Sequence, residues 1–196
     1  MNDSLLDVLK AIAKDTLPYE ATVPFLEVQS RAAVLALFRG QSFLDSEVLL
    51  ILRSKHLSVH AGEVAFPGGG MEMLDMSNPV QTALRECFEE VGIPASAVQA
   101  LGVLPMLPTL SGKALVDPVI AIHEAPAETG LILDGHEVSA AEWVSVRALK
   151  ETRKLELRTV PSGEFAFPYF QWKEEKMWGL TAMIFDLILR RYDRLF

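Results

Sequence analysis

The chain has 196 residues, half of them apolar, and carries 18 basic against 26 acidic side chains, a formal net charge of −8. That length suits one domain with a substantial core, so residues 1–196 are read as a single unit with its core over about 28–192. The acidic balance argues against attraction to nucleic acid or an anionic membrane, and any phosphate-bearing substrate must be met by metal ions or a local basic patch.

The single cysteine, Cys87, leaves no disulfide framework and no thiolate zinc cluster, which fits a reducing cytoplasmic setting. Met1-Asn2-Asp3-Ser4-Leu5-Leu6-Asp7 lacks the basic-then-apolar pattern of a secretory leader. Apolar residues come in short runs broken by charges, as in a packed core rather than a membrane span.

Leu5, Leu6, Leu9, Ile12 and Ala13 follow helical spacing, predicting a helix over about 3–15 that ends before Pro18. Apolar runs over 31–38 and 47–52, separated by a polar turn with Gly40 and Asp45, predict a hairpin of core strands. A polar loop over 53–62 leads to Val64-Ala65-Phe66 and then Pro67-Gly68-Gly69-Gly70, read as a loop. Asn78-Pro79 supplies a helix cap and first turn. Val80, Ala83, Leu84, Cys87, Phe88 and Val91 mark that helix's buried stripe, and Gly92 ends it. Further strands are expected over 100–104, 116–122 and 141–146, and a last helix over about 178–191 with Met183, Ile184, Leu187 and Ile188 inward.

Glu86, Glu89 and Glu90 stand at i, i+3 and i+4, so their carboxylates are expected on one side of the helix, opposite the apolar stripe. Three close carboxylates repel one another, and hard oxygen ligands in this pattern suit Mg2+ or Mn2+. Arg85, four residues before Glu89, is placed to pair with and orient a carboxylate. The backbone of Gly68, Gly69 and Gly70 is expected to approach phosphate or metal closely.

Gly69-x5-Asp75 followed by Arg85-Glu86-Cys87-x-Glu89-Glu90-x-Gly92-Ile93 resembles the Nudix box G-x5-E-x7-R-E-U-x-E-E-x-G-U, in which U is apolar. The second half matches in full. In the first half Asp75 replaces Glu, and nine residues rather than seven separate it from Arg85, leaving Glu72 as a neighbouring acidic candidate. The resemblance implies an α+β Nudix fold, a mixed β-sheet sandwiched between α-helices, and hydrolysis of a nucleoside diphosphate linked to another moiety. It implies Mg2+ or Mn2+ held by Glu86, Glu89 and Glu90, with Arg85 in the catalytic set. Glu137 corresponds to an acidic position that in some members approaches the metal from a separate loop.

Upstream, Leu49-Leu50-x-x-Arg53-Ser54-x3-Ser58-x3-Gly62-x3-Phe66-Pro67-Gly68-Gly69 is similar to the additional signature of Nudix enzymes acting on coenzyme A, where a second Arg usually replaces Ser58. Leu107-Pro108-Thr109-x-Ser111-Gly112, Val116-x-Pro118-Val119 and Trp178-Gly179-Leu180-Thr181-Ala182 extend that similarity. The implied substrate is coenzyme A or an acyl derivative, with Arg53 on the substrate and Lys55, His56 and His60 near it. The alternatives are an ADP-ribose or nucleotide-sugar diphosphatase and a Nudix module that binds a nucleotide without cutting it.

His123 and His136 lack a paired ligand spacing and read as surface or loop residues. Cys87 reads as a core side chain rather than a nucleophile. Trp143, Trp172, Trp178 and the cluster Phe165-x-Phe167-Pro168-Tyr169-Phe170 read as core or interface. A homodimer, common in the family resembled, is one arrangement such a cluster could serve.

Overall fold

The computed structural model describes residues 4–15, 30–75, 77–109, 113–124, 130–160 and 163–196. Positions 3, 28 and 29 of the expected elements, and Ser111-Gly112 of the downstream motif, lie outside the described residues.

Helix α1 (Leu5–Lys14) is capped by Ser4, whose Oγ accepts the Asp7 N–H at 3.2 Å, and it buries Leu5, Val8, Leu9 and Ile12. Strands β1 (Ser30–Arg39) and β2 (Glu47–Arg53) form the expected hairpin, but only its closed end pairs, through Phe38↔Val48 and Arg39↔Glu47. Beyond that the two strands fork. The fork receives β3 (Val64–Ala65) against β2 and β4 (Gly68–Gly70) against β1, where Ala32, Ala33 and Val34 face Gly70, Gly69 and Gly68. The glycine run expected as a loop is therefore a strand. At Gly68 and Gly69 there is no room for a Cβ atom: one at Gly68 would sit 2.4 Å from the Ala33 carbonyl oxygen, and Gly68 itself has φ +157°.

On the other edge of β1, β7 (Ala114–His123) runs parallel, followed by β5 (Val98–Val103) antiparallel to β7, while β6 (Leu107–Pro108) pairs with the start of β7. β8 (Val138–Ser145) covers the outer edge of β2, so the sheet is mixed. Alternation along β1 separates two cores. Ala33, Leu35 and Leu37 pack with Ala83, Cys87 and Val91 of α2 (Pro79–Val91). Ala36 and Phe38 pack with Leu9 and Ile12 of α1 and with Phe185 and Ile188 of α4 (Gly179–Leu195). This is the expected sandwich of a mixed sheet between helices.

Helix α3 (Val146–Glu151) leads into an antiparallel meander not foreseen from the sequence: β9 (Lys154–Val160), β10 (Gly163–Trp172) and β11 (Glu175–Met177). The aromatic cluster is β10 itself, with Phe170 buried edge-on to Phe185 at 5.1 Å and Trp172 buried as well. Both faces of β10 carry aromatic residues, so the period of two is hidden from hydropathy. Helix α4 runs to Leu195, past the expected end, and buried Arg191 donates to the Ile12 carbonyl at 3.0 Å, tying it to the end of α1. No helix among the described residues is long and apolar enough to cross a membrane.

Candidate active site

Helix α2 begins and ends as its sequence predicts. Asn78 Oδ1 accepts the Val80 N–H at 3.0 Å, Pro79 occupies the first turn, and Gly92 closes the helix in the left-handed region at φ +74°. Its faces differ from expectation in two places. Phe88, assigned to the apolar stripe, is 57% exposed, while Glu90, assigned to the polar side, is 2% exposed. Glu90 lies on the face of α2 that meets the sheet fork. Its Oε2 accepts the Gly68 N–H at 2.9 Å and its Oε1 accepts Arg53 Nη1 at 3.3 Å.

Arg85 is the hub of the site. Its Nε and Nη2 donate to the two oxygens of Asp75 at 3.1 Å each, Nη2 also reaches the Gly70 carbonyl at 3.0 Å, and Nη1 donates to Glu86 and Glu89 at 2.9 Å each. Every guanidinium N–H is thereby engaged. Arg85 holds carboxylates in place and has no donor left for a substrate, so its position is that of an organising residue rather than one touching the reacting atoms.

Asp75 is the other half of that arrangement despite the two added residues before Arg85. The segment folds into a 3-10 turn, Met73–Asp75, and the Asn78 N–H donates to the Asp75 carbonyl at 2.8 Å, which absorbs the extra length ahead of the helix. Besides Arg85, buried Asp75 accepts the Glu72 N–H and the Thr82 hydroxyl, each at 2.9 Å. Glu72 is the more distant partner, 3.9 Å from Arg85 and largely exposed.

The Arg85 guanidinium, then the Glu72 N–H, hold the Asp75 carboxyl far below the usual carboxylate range. A depressed folded-state pKa contributes stability that is complete above the ordinary carboxylate value of about 4 and is lost as pH falls below it. Asp75→Asn is therefore expected to unfold more readily than the natural chain at pH 7, by about 2 kcal/mol because Arg85 keeps its other acceptors. Paired melts between pH 7 and pH 2.5 check this: the gap should narrow steadily once pH falls below about 4, and a constant gap would contradict the assignment.

Gly68 and Gly69 bring backbone close to carboxylates, Gly70 turns its carbonyl to Arg85, and all three line the cavity. A Cβ on Gly69 would meet the Glu86 carboxylate at 2.5 Å. Around them a cavity of about 480 Å³ is lined by Glu72, Glu86, Glu89, Glu90, Asp134 and Glu137 with Arg85 as the one cation among its lining residues. Glu137 and Asp134 arrive on a separate segment strapped to the end of α2, with the Asp134 N–H on the Glu90 carbonyl at 3.1 Å and the Ile132 N–H on Val91 at 3.0 Å. The sequence reading named Glu137 and missed Asp134, whose signal was the acidic turn Asp134-Gly135-His136-Glu137.

Burial raises the Glu86 carboxyl, with Arg85 opposing and Glu89 and Glu137 adding to the shift. Burial likewise pushes Glu90 up to about 7 against the Gly68 N–H and Arg53, with Glu86 and Glu137 again adding. Among the described residues no three acidic, imidazole or thiol groups are gathered as a ready ligand set, because Glu89 leans to Arg85 and Glu90 to Arg53 and Gly68. The donor chemistry nevertheless fits a hard dication. All available donors are carboxylate oxygens, and the excess negative charge is what such an ion offsets.

Arg53, expected on the substrate, is turned to Glu90 and its Nε is buried without a partner. Ser58, Lys55, His56 and His60 lie exposed on the segment after it. Cys87 is fully buried and its thiol is pushed up to about 12, in keeping with a core side chain. His123 is not a surface residue. It ends β7 at 8% exposure against Trp143, with ring centres 5.3 Å apart, because the sheet face extends past the end of α2. His136 is exposed.

A family model described as NUDIX domain matches residues 28–162. The uncharacterized Nudix hydrolase NudL of Escherichia coli strain K12 is 40% identical over 139 residues, which make up 70% of each chain. Among solved structures, the MutT protein from Methanosarcina mazei Go1 superposes with a TM-score of 0.54 at 16% identity, over 88% of this chain and 98% of its own. A Nudix hydrolase from M. smegmatis, RenU, does so with a TM-score of 0.50 at 23% identity, over 64% and 76%. At these identities the likeness concerns the fold.

Proposed function

The chain belongs to the Nudix hydrolase family, and we propose that its acidic cavity cleaves the diphosphate linkage of coenzyme A or an acyl-coenzyme A. The products are phosphopantetheine, or its acyl form, and adenosine 3',5'-bisphosphate. The observation that carries the reading is the charge of the cavity: six carboxylates against one guanidinium that is already saturated. No diphosphate enters such a site unless cations accompany it.

Glu86, Glu89, Glu90 and Glu137 would hold Mg2+ or Mn2+ there. When bound, the metal supplies positive charge to the diphosphate oxygens and to the attacking water. The chain's own part is positional. Arg85 sets Glu86 and Glu89, Arg53 and the Gly68 N–H set Glu90, and the strap from Ile132 to Glu137 closes the far wall. One carboxylate of the set takes the proton of the attacking water.

The segment from Leu49 to Gly69 supports coenzyme A as the substrate through its similarity to the signature of Nudix enzymes acting on coenzyme A, and its Arg53 and Gly68 N–H hold Glu90. Ser58 in place of a second arginine favours the runner-up, an ADP-ribose or nucleotide-sugar diphosphatase. The elements from α1 to α4 share the two cores of one sheet, which supports reading the chain as a single Nudix domain.

Chelation tests the metal requirement. Turnover of coenzyme A is expected to vanish in EDTA and return when Mg2+ or Mn2+ is added in excess; undiminished turnover in EDTA would contradict the proposal.

A further inference from the structure

The three-stranded sheet ends in β9, which pairs with β10 from Lys154↔Tyr169 to Val160↔Gly163 and has no strand on its other edge among the described residues. Native edge strands are blunted by shortness, proline or bulges, because a row of unpaired N–H and C=O groups invites another strand. Charged side chains are a further such device, and β9 carries three, Lys154, Glu156 and Arg158, the last stacked on Trp178 at 4.8 Å. Because they alternate in sign they oppose some pairings and favour one, and β9 has none of the other devices. It is seven residues long, contains neither Pro nor Gly, and keeps its register throughout. Alternation puts Lys154, Glu156 and Arg158 on one face and Leu155, Leu157 and Thr159 on the other. Leu155 is 52% exposed and Leu157 73% exposed.

We propose that β9 pairs antiparallel with β9 of a second copy of this chain about a two-fold axis at Leu157, joining the two meanders into one six-stranded sheet. Opposed residues must share a sheet face, so a two-fold pairing has to be centred on a single residue. Centring on Glu156 sets that glutamate against itself and Lys154 against Arg158. Centring on Arg158 sets two guanidinium groups against each other. Like charges directly opposite are destabilising. Centring on Leu155 or Thr159 keeps only three residues of the strand in register.

Centring on Leu157 uses all seven residues. It opposes Glu156 to Arg158 of the second copy twice, Leu155 to Thr159 twice, and Leu157 to itself. The charges along the strand thus select one register, in which the exposed leucines are covered. Glu156 already accepts Arg158 Nε at 2.8 Å and Lys176 Nζ at 3.0 Å within its own chain, which holds its carboxylate on that face.

Sedimentation of the full chain over a range of concentrations tests this. The natural chain is expected to be dimeric. Arg158→Glu and Glu156→Arg are each expected to weaken association about ten-fold or more, from two like-charge pairs per dimer. The double exchange, carrying both substitutions, is expected to regain association, because only this register opposes positions 156 and 158. As an independent readout, Leu157→Cys should cross-link on oxidation and Leu155→Cys should not; Cys87 is buried and supplies no background. A monomer at every concentration overturns the proposal. So does a dimer indifferent to both single reversals, or one in which Leu157→Cys fails to cross-link.

Discussion

Glu90→Gln and Glu89→Gln are each expected to lower kcat about 1000-fold, which corresponds to about 4 kcal/mol of transition-state stabilisation withdrawn from the diphosphate. The two changes should differ in what they do to the fold. Glu89 is half-exposed and shares Arg85 with three other acceptors, so its loss should leave the melting temperature nearly unchanged. Glu90 is buried. A glutamine there still accepts the Gly68 N–H, but Arg53 loses its charged partner while its Nε is already unsatisfied. Burial already disfavours the Glu90 charge by more than Arg53 and the Gly68 N–H favour it, so removal of that charge is expected to offset this loss and raise the melting temperature at pH 7. Steady-state rates with thermal melts check both, and turnover within a few-fold of normal in either variant would remove the carboxylates from the chemistry.

Arg85→Met should combine a large loss of activity with a large loss of stability. The guanidinium is the common donor to Asp75, Glu86, Glu89 and the Gly70 carbonyl. Removing it leaves Asp75 buried without its countercharge, at a cost of about 3 kcal/mol. It also frees Glu86 and Glu89 to repel each other, and a reduction in kcat of about 100-fold is expected from the misplaced set. Arg85→Lys should recover little of either, since one ammonium cannot span acceptors on the 3-10 turn, the glycine strand and the helix together. Full rescue by lysine would mean that charge alone matters there.

The helix and its chemistry were legible because they rest on local rules. Asn78-Pro79 and Gly92 bound α2, and the spacing of Glu86, Glu89 and Glu90 put their carboxylates within reach of one another. What sequence could not disclose was set by tertiary contacts. Glu90 reads as polar surface by periodicity, yet the fork between β1 and β2 gives it Arg53 and the Gly68 N–H and so allows its burial. The glycine run reads as a loop because nothing local marks it as the strand that fills that fork. Asp75 was obscured by a spacing two residues too long, which a 3-10 turn takes up. Asp134 needed the strap along the end of α2 to bring it to the cavity.

Product identification tests the coenzyme A diphosphatase activity most directly. Purified chain with Mg2+ is given coenzyme A, dephospho-coenzyme A, ADP-ribose and a nucleotide sugar in parallel, with products weighed by mass spectrometry and kcat/KM compared. The proposal expects phosphopantetheine and adenosine 3',5'-bisphosphate, with coenzyme A preferred over its dephospho form. Preference for ADP-ribose or the sugar nucleotide would contradict the substrate while leaving the acidic site in place. Cleavage of none of the four would contradict the proposed diphosphatase activity.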